Sequence, residues 1–239
     1  ATAADMHNVA VGHDAGYAIT TGTNNTFIGG LSGDSINTGL YNTALGYGTM
    51  KADVKGNKTV AVGTFALESQ SFSTSTDTLN TAVGYIAGGS VSTGSDNTFI
   101  GGLAGDAVTT GSENTAVGRS ALTSQATNGN TSIGHASLLL CTGSLNTAVG
   151  ASAGSSVTSG GNNLFLGKDA GISGSPGGAI SSGSNAIVLG DENIGDAYIQ
   201  VALTVSSDER DKTDFTDLDL GLDFVKALEP VTYYWDKRS

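Results

Sequence analysis

Apolar and polar positions alternate in short bursts along this chain, and each burst ends on a glycine. Asn114-Thr115-Ala116-Val117-Gly118 is the clearest: a polar start, two β-branched residues around a small one, then Gly. Ten other segments repeat the pattern and close on Gly12, Gly29, Gly46, Gly63, Gly84, Gly101, Gly134, Gly150, Gly167 and Gly190. Successive steps along the eleven glycines are 17, 17, 17, 21, 17, 17, 16, 16, 17 and 23 residues. A nearly fixed period below about twenty residues is the mark of a solenoid, whose repeats bury surface only against their neighbours.

The residue two before the marker glycine is Ala or Phe in most copies (Ala44, Ala82, Phe27, Phe99, Phe165), flanked by Val, Ile, Leu or Thr. Such a triplet reads as a short strand with the flanks on one face and Ala/Phe on the other. Nine copies open with Asn, and stacked asparagines hydrogen-bond along the axis as in cross-β ladders. A glycine three residues earlier (Gly22, Gly39, Gly94, Gly111) is expected to supply a φ > 0 turn. The predicted coil is turn, strand, glycine corner, second short strand. The fold class is all-β, a parallel β-solenoid or β-roll of about eleven short coils, stacking at roughly 4.8 Å each into a rod roughly 50 Å long. A single coil offers almost no interior, so several identical rods are expected to associate and bury their Ala/Phe or Val/Ile faces.

A longer period overlies the short one: a shift of 72 residues carries Phe27-Ile28-Gly29-Gly30-Leu31 onto Phe99-Ile100-Gly101-Gly102-Leu103. Growth by duplication of four-coil blocks adds length without a pocket, which favours a shaft over an enzyme barrel.

With 36 Gly, 2 Pro and 13 % charged residues, the chain is too Gly-rich for an ordinary core and too periodic for a disordered linker. A net charge of −12 argues against nucleic acid and against anionic membrane surfaces as partners. Cys141 is the single cysteine, which excludes an internal disulfide, and no apolar run approaches the roughly 20 residues of a membrane span. The chain opens at Ala1 in mid-pattern and reads as a fragment of something longer.

Composition changes near Val205: residues 207–239 carry 14 charged residues and one glycine, whereas residues 1–206 carry 18 and 35. Three regions follow: a repetitive shaft over 1–195, a closing strand or linker over 196–206, and a short α+β segment over 207–239. In the last, Asp219 is placed to cap a helix through Leu222, Val225 and Leu228, ending before Pro230, and Val231-Thr232-Tyr233-Tyr234-Trp235 reads as a strand. Thirty-three residues bury little core alone, so the segment is the start of a domain or folds only against partner chains.

The strand motif is similar to the Asn-Ser-Val-Ala-Ile-Gly repeats in the heads of trimeric autotransporter adhesins, and closer still to the Asn-Thr-Ala-Val-Gly-rich shafts of phage tail-fibre proteins. The tail is more specific. Ser207-Asp208-Glu209-Arg210-Asp211-Lys212, then Gly221-Leu222-Asp223-Phe224-Val225 and Leu228-Glu229-Pro230-Val231-Thr232-Tyr233, resembles the start of the intramolecular-chaperone domain of phage endosialidases, tailspikes and tail fibres. The resemblance implies a homotrimer, templated folding of the preceding fibre, and a single self-cleavage between Ser206 and Ser207. It assigns Ser207 as nucleophile, Lys212 as base and Asp208 as a neighbour that orients the site. Serine is a poor nucleophile without a base, and a Lys whose pKa is lowered by burial can accept its proton.

Other motifs carry less. Gly29-Gly30-Leu31-Ser32-Gly33-Asp34 lacks the Lys-Ser/Thr ending of a phosphate loop, and Asp217, Asp219 and Asp223 lack the downstream Glu of a calcium loop. His13 and His135 follow marker glycines as variable ladder positions. Neither a cofactor nor a metal is expected. The long steps of 21 and 23 residues place extra residues around Ser69 to Asp77 and Ile172 to Ile180, where a solenoid puts surface loops.

The leading functional reading is a virion tail-fibre segment, extracellular, that binds a host-cell receptor, a glycan among the candidates, and contacts other virion fibre or tail proteins. The alternatives are a bacterial trimeric surface adhesin and a polysaccharide-degrading tailspike. The last is disfavoured because glycoside hydrolysis needs paired carboxylates across a groove, and residues 1–206 hold only 13 acidic residues.

Overall fold

Each marker triplet is a strand, and the triplets pair in sequence order. The computed structural model describes residues 6–198. Its strands are β1 (Val9–Val11), β2 (Thr26–Ile28), β3 (Thr43–Leu45), β4 (Gly56–Asn57), β5 (Val60–Val62), β6 (Thr76–Asp77), β7 (Thr81–Val83), β8 (Thr98–Ile100), β9 (Thr115–Val117), β10 (Thr131–Ile133), β11 (Thr147–Val149), β12 (Leu164–Leu166) and β13 (Ile187–Leu189). Eleven of them form one parallel sheet, and β4 and β6 make a two-stranded parallel one. Register follows the repeat, with Ala10 beside Phe27, Phe27 beside Ala44 and Phe99 beside Ala116. The fold is the expected all-β parallel solenoid.

The strand centres point inward. Ala44, Ala61, Ala82, Phe99, Ala116, Ala148 and Phe165 are fully buried, while the residue before each marker glycine faces out. The Ala/Phe face is therefore each coil's own interior and is not available to a neighbouring rod. That interior is larger than the sequence implies, because a second inward position lies four residues after each marker glycine. It is Gly16, Gly33, Met50, Leu67, Gly88, Gly105, Leu122, Leu138, Gly154 and Gly171 down the stack. The Met and Leu members are fully buried.

The two positions share one volume. Where the strand centre is Phe27, Phe99 or Phe165, the fourth positions on both sides of it are glycines. An added Cβ at Gly16 or Gly33 would lie 2.8 or 2.6 Å from the Phe27 ring, and at Gly105 or Gly171 it would lie 2.4 Å from Phe99 or Phe165. Where the centre is Ala61, Met50 and Leu67 fill the space from the other side. Close packing of this kind leaves no room for independent variation at either position.

The expected second short strand is absent from most coils. After the marker glycine the chain runs through turns in which the second and fourth residues take φ between 45° and 81°, from Asp14 and Gly16 to Asp169 and Gly171. The turns still ladder: Gly33 N–H donates to the Thr49 carbonyl at 2.9 Å and Gly105 N–H to the Ala121 carbonyl at 2.9 Å. Coil-to-coil hydrogen bonding thus continues on this side in left-handed backbone rather than in strands. For Leu31, Phe65 or Leu103 that backbone costs roughly 1–2 kcal/mol each, offset in part by the bond each amide donates to the preceding coil, at 2.8, 2.9 and 2.9 Å.

The glycines three before the Asn position also act differently from expectation. Gly22, Gly39, Gly94, Gly143 and Gly160 do not have positive φ; they are glycine because a Cβ would sit 2.0–2.5 Å from the carbonyl oxygen of the equivalent glycine in the next coil. The positive-φ corner falls two residues later, on Asn24, Tyr41, Lys58, Leu79, Asp96, Glu113, Leu145, Asn162 and Asn185. The asparagine ladder itself is present and mostly main-chain in its partners. Asn97 Oδ1 accepts from Asn114 N–H at 3.0 Å, Asn114 Oδ1 accepts from Asn130 N–H at 3.0 Å, and Asn114 Nδ2 donates to the Thr127 carbonyl at 2.7 Å.

Candidate functional site

The coils between Gly46 and Gly84 depart from the repeat. At the seventh position after the marker glycine most coils bury an apolar side chain, as at Ile36, Val91, Val108, Cys141 and Val157. Here two adjacent coils place Asp53 and Gln70, both fully buried. The asparagine ladder breaks on the same coils, because Thr59 stands where Asn would.

Gln70 bridges that break. Its Nε2 donates to Asp53 Oδ2 at 2.6 Å and to Thr59 Oγ1 at 3.2 Å, while its Oε1 accepts from Asn80 Nδ2 at 2.8 Å. Asp53 Oδ1 accepts from the Gly56 and Phe72 amides at 3.1 and 3.3 Å. Burial pushes the Asp53 carboxyl above its usual range, opposed by the donors from Gln70, Gly56, Phe72 and Val54. Both oxygens are taken by donors of the stack, so this carboxylate ties coils together and has no face toward a substrate.

The first long step therefore folds inward more than a surface loop would. Gln70 and Phe72 are buried, and Thr76–Asp77 pairs with Gly56–Asn57, leaving Ser73 to Ser75 as the exposed tip. At its rim Lys58 Nζ meets Asp77 Oδ2 at 2.5 Å, which draws the Asp77 carboxyl below its usual range. The second long step is a loop pinned by the Ser175 hydroxyl, which accepts from Gly171 N–H at 3.0 Å and donates to the Ile172 carbonyl at 2.8 Å. Ser173, Gly174, Pro176 and Gly177 around it are exposed.

The histidines sit apart. His13 is exposed beside Asp14 at 3.0 Å, and His135 Nε2 lies 2.7 Å from Arg119 Nη2. Cys141 is buried, which pushes its thiol above the usual range. Ser206, Ser207, Asp208 and Lys212, with the Asp219 helix and the strand at 231–235, lie outside the described residues, as does the closing strand beyond Tyr198. Among the described residues no helix is long and apolar enough to cross a membrane.

The outward faces of the strands form two rows along the shaft. Residues before the marker glycines run in register from Val11 through Ile28, Leu45, Ile100 and Leu166 to Leu189, all exposed, and the opposite flank is mostly Thr. Neither row holds a charged residue, in a chain of net charge −12. The comparisons with known proteins bear on the C-terminal stretch of the sequence. Residues 207–239 match the family model described as chaperone of endosialidase. No curated protein and no solved structure matches the chain. A parallel β-solenoid preceding a chaperone-of-endosialidase segment fits a phage tail fibre or spike component with a C-terminal chaperone domain. The chaperone-of-endosialidase family implies trimeric fibre assembly.

Proposed function

We propose that this chain is the shaft of a homotrimeric bacteriophage tail fibre, extracellular on the virion, that binds a host-cell receptor and is matured by a self-cleaving C-terminal chaperone. One juxtaposition carries the reading: in the sequence, a solenoid of eleven strands precedes a chaperone-of-endosialidase match that opens at Ser207. A shaft needs length, stiffness and a way to bring identical chains into register, and a downstream assembly domain supplies the last.

The uncharged outer sheet face supports the trimer. An aliphatic row spanning eleven coils at a fixed spacing fits an equally long surface with the same repeat, and a second copy of the solenoid is such a surface. In the maturation step Ser207 Oγ attacks the Ser206 carbonyl carbon as Lys212 takes the hydroxyl proton; the Ser206–Ser207 C–N bond then breaks as Lys212 returns that proton to the Ser207 nitrogen, with Asp208 orienting the pair. Water then hydrolyses the resulting ester, leaving a Ser206 carboxylate and a new N-terminus at Ser207.

An antibody raised against the shaft should decorate tail fibres of virions in electron micrographs. Decoration of the surface of uninfected bacteria instead would assign the chain to the second class, a bacterial trimeric adhesin.

A further inference from the structure

Three aromatic side chains stand on one corner of the shaft without serving its core. The position directly after the marker glycine is His13, Gly30, Gly102, Arg119, Ala151 or Lys168 in other coils, but Tyr47 and Tyr85 here, with Thr64 between them. Phe65 follows Thr64 at a position that is Asp14, Ser120, Ala136 or Ser152 elsewhere. Those other coils pair and pack without an aromatic, so the fold does not require one.

The rings are seated. Tyr47 lies over Gly30, where an added Cβ would be 3.3 Å from its Cδ2, and Phe65 lies over Gly48, where a Cβ would be 2.8 Å from its Cδ1. Glycine on the preceding coil lets each ring settle against the backbone. Tyr47 and Phe65 meet edge to face, centroids 5.4 Å apart at 80°. Backbone bonds fix their spacing along the axis, with Phe65 N–H on the Tyr47 carbonyl at 2.9 Å and Ile86 N–H on the Thr64 carbonyl at 3.0 Å. Tyr47 and Tyr85 nonetheless remain 50 % and 56 % exposed.

We infer that Tyr47, Phe65 and Tyr85 form a stacking platform for a polysaccharide. A sugar ring presents an apolar C–H face and a rim of hydroxyls. Exposed aromatic faces take the first, and Tyr hydroxyls with the Thr64 side chain take the second. The platform is shallow and runs along the axis at roughly 4.8 Å per coil, which suits a linear chain of rings better than a protein anchor that needs a deep, desolvated pocket. Residues 46–85 carry Lys51, Lys55 and Lys58 against Asp53, Glu68 and Asp77, so this stretch is formally neutral and exerts less of the repulsion that the acidic shaft would place on a charged polymer. The inference rests on the host-attachment reading and names the chemistry of the receptor.

The test is an array printed with purified bacterial surface polysaccharides and outer-membrane proteins, probed with the full chain. The parent should be retained on at least one polysaccharide. Tyr47→Ala and Tyr85→Ala should each weaken retention by about tenfold, Tyr85→Phe, which keeps the ring and loses only its hydroxyl, should weaken it less than Tyr85→Ala, and all should melt close to the parent because Tyr47 and Tyr85 are half exposed. Equal retention by the alanine variants, or retention on protein spots alone, overturns the platform and leaves host attachment standing. Retention on neither class of spot overturns both.

Discussion

The Phe99 ring lies so close to Gly105 that a Cβ there would be 2.4 Å from Cδ1 and Cε1, and both residues belong to one coil. The Phe fills space that Leu122 fills in the next coil, where the strand centre is Ala116. Core volume is thus traded between two sequence positions, which gives the first prediction. Phe99→Ala should cost about 3–5 kcal/mol through its cavity. Gly105→Leu alone should clash, but added to Phe99→Ala it should restore part of the loss. The φ of 61° at Gly105 is one that Leu67, Leu122 and Leu138 already adopt at the same position, between 45° and 55°. Denaturant unfolding checks this, and a double variant less stable than Phe99→Ala would refute the shared-volume account.

Much of the shaft is legible in the sequence because the marker glycines repeat a single stringent requirement. At Gly29 the backbone has φ +129° and a Cβ would lie 2.4 Å from the Gly46 carbonyl oxygen, so no other residue fits and the period survives. The fourth position is not legible, since its residues differ coil by coil and make sense only beside the strand centre they compensate. The second short strand predicted after the corner is absent because Leu31 and Gly33 both take left-handed φ, 56° and 60°, which a strand cannot hold. Extra residues read as a surface loop at Ser69 to Asp77, yet the missing Asn at position 59 and the buried Asp53 create a polar hole that Gln70 fills. No local pattern announces that pairing. The seated aromatics likewise gain meaning only when coils are stacked.

The ladder predicts a local effect. Asn114→Ala removes the buried acceptor of Asn130 N–H and the donor to the Thr127 carbonyl at the edge of the stack. Leaving those groups unpaired should cost about 1–3 kcal/mol. Hydrogen exchange should quicken at Asn130 before it quickens at distant coils, and a uniform loss of protection would argue against a coil-by-coil ladder.

Asp53 predicts a pH dependence. Burial raises its carboxyl in the folded state, so between its ordinary value of 3.8 and that raised value the folded chain binds more protons than the unfolded one. Its contribution is most favourable below this window and is lost as pH rises through it. The stability of the parent minus that of Asp53→Asn should therefore fall from acid toward neutral pH. Asp77, lowered by Lys58, has the opposite slope and cancels in the difference. A difference that is flat or rises with pH would contradict the burial argument.

The outer sheet face predicts how copies assemble. A charge placed in the aliphatic row, as in Leu45→Asp with Ile133→Asp, touches no buried position of the coil and should leave the melting of each solenoid nearly unchanged. Burying those charges between chains would cost several kcal/mol. Light scattering should then give the mass of one chain for the variant and of three for the parent. A trimeric variant would move the interface to another face.

The proposed maturation gives the last prediction, and on that proposal its chemistry depends on assembly. In a chain carrying the complete downstream chaperone, Lys212 loses its proton at neutral pH only in a desolvated site, and desolvation follows from three chains closing around it. Ser207 then has a base only after trimerisation, so cleavage between Ser206 and Ser207 reports that assembly is complete. Once the chaperone is released, the shaft cannot easily refold, and its persistence becomes a matter of unfolding rate. Ser207→Ala and Lys212→Ala should each give an uncut, full-length and still trimeric product. Asp208→Ala should slow release without abolishing it, since that residue orients the pair and carries no proton. Mass spectrometry of the products decides: release from the Ser207 or Lys212 variant, or a parent N-terminus other than Ser207, would remove those residues from the mechanism. Cleavage in a concentration range where the parent is monomeric would uncouple it from assembly.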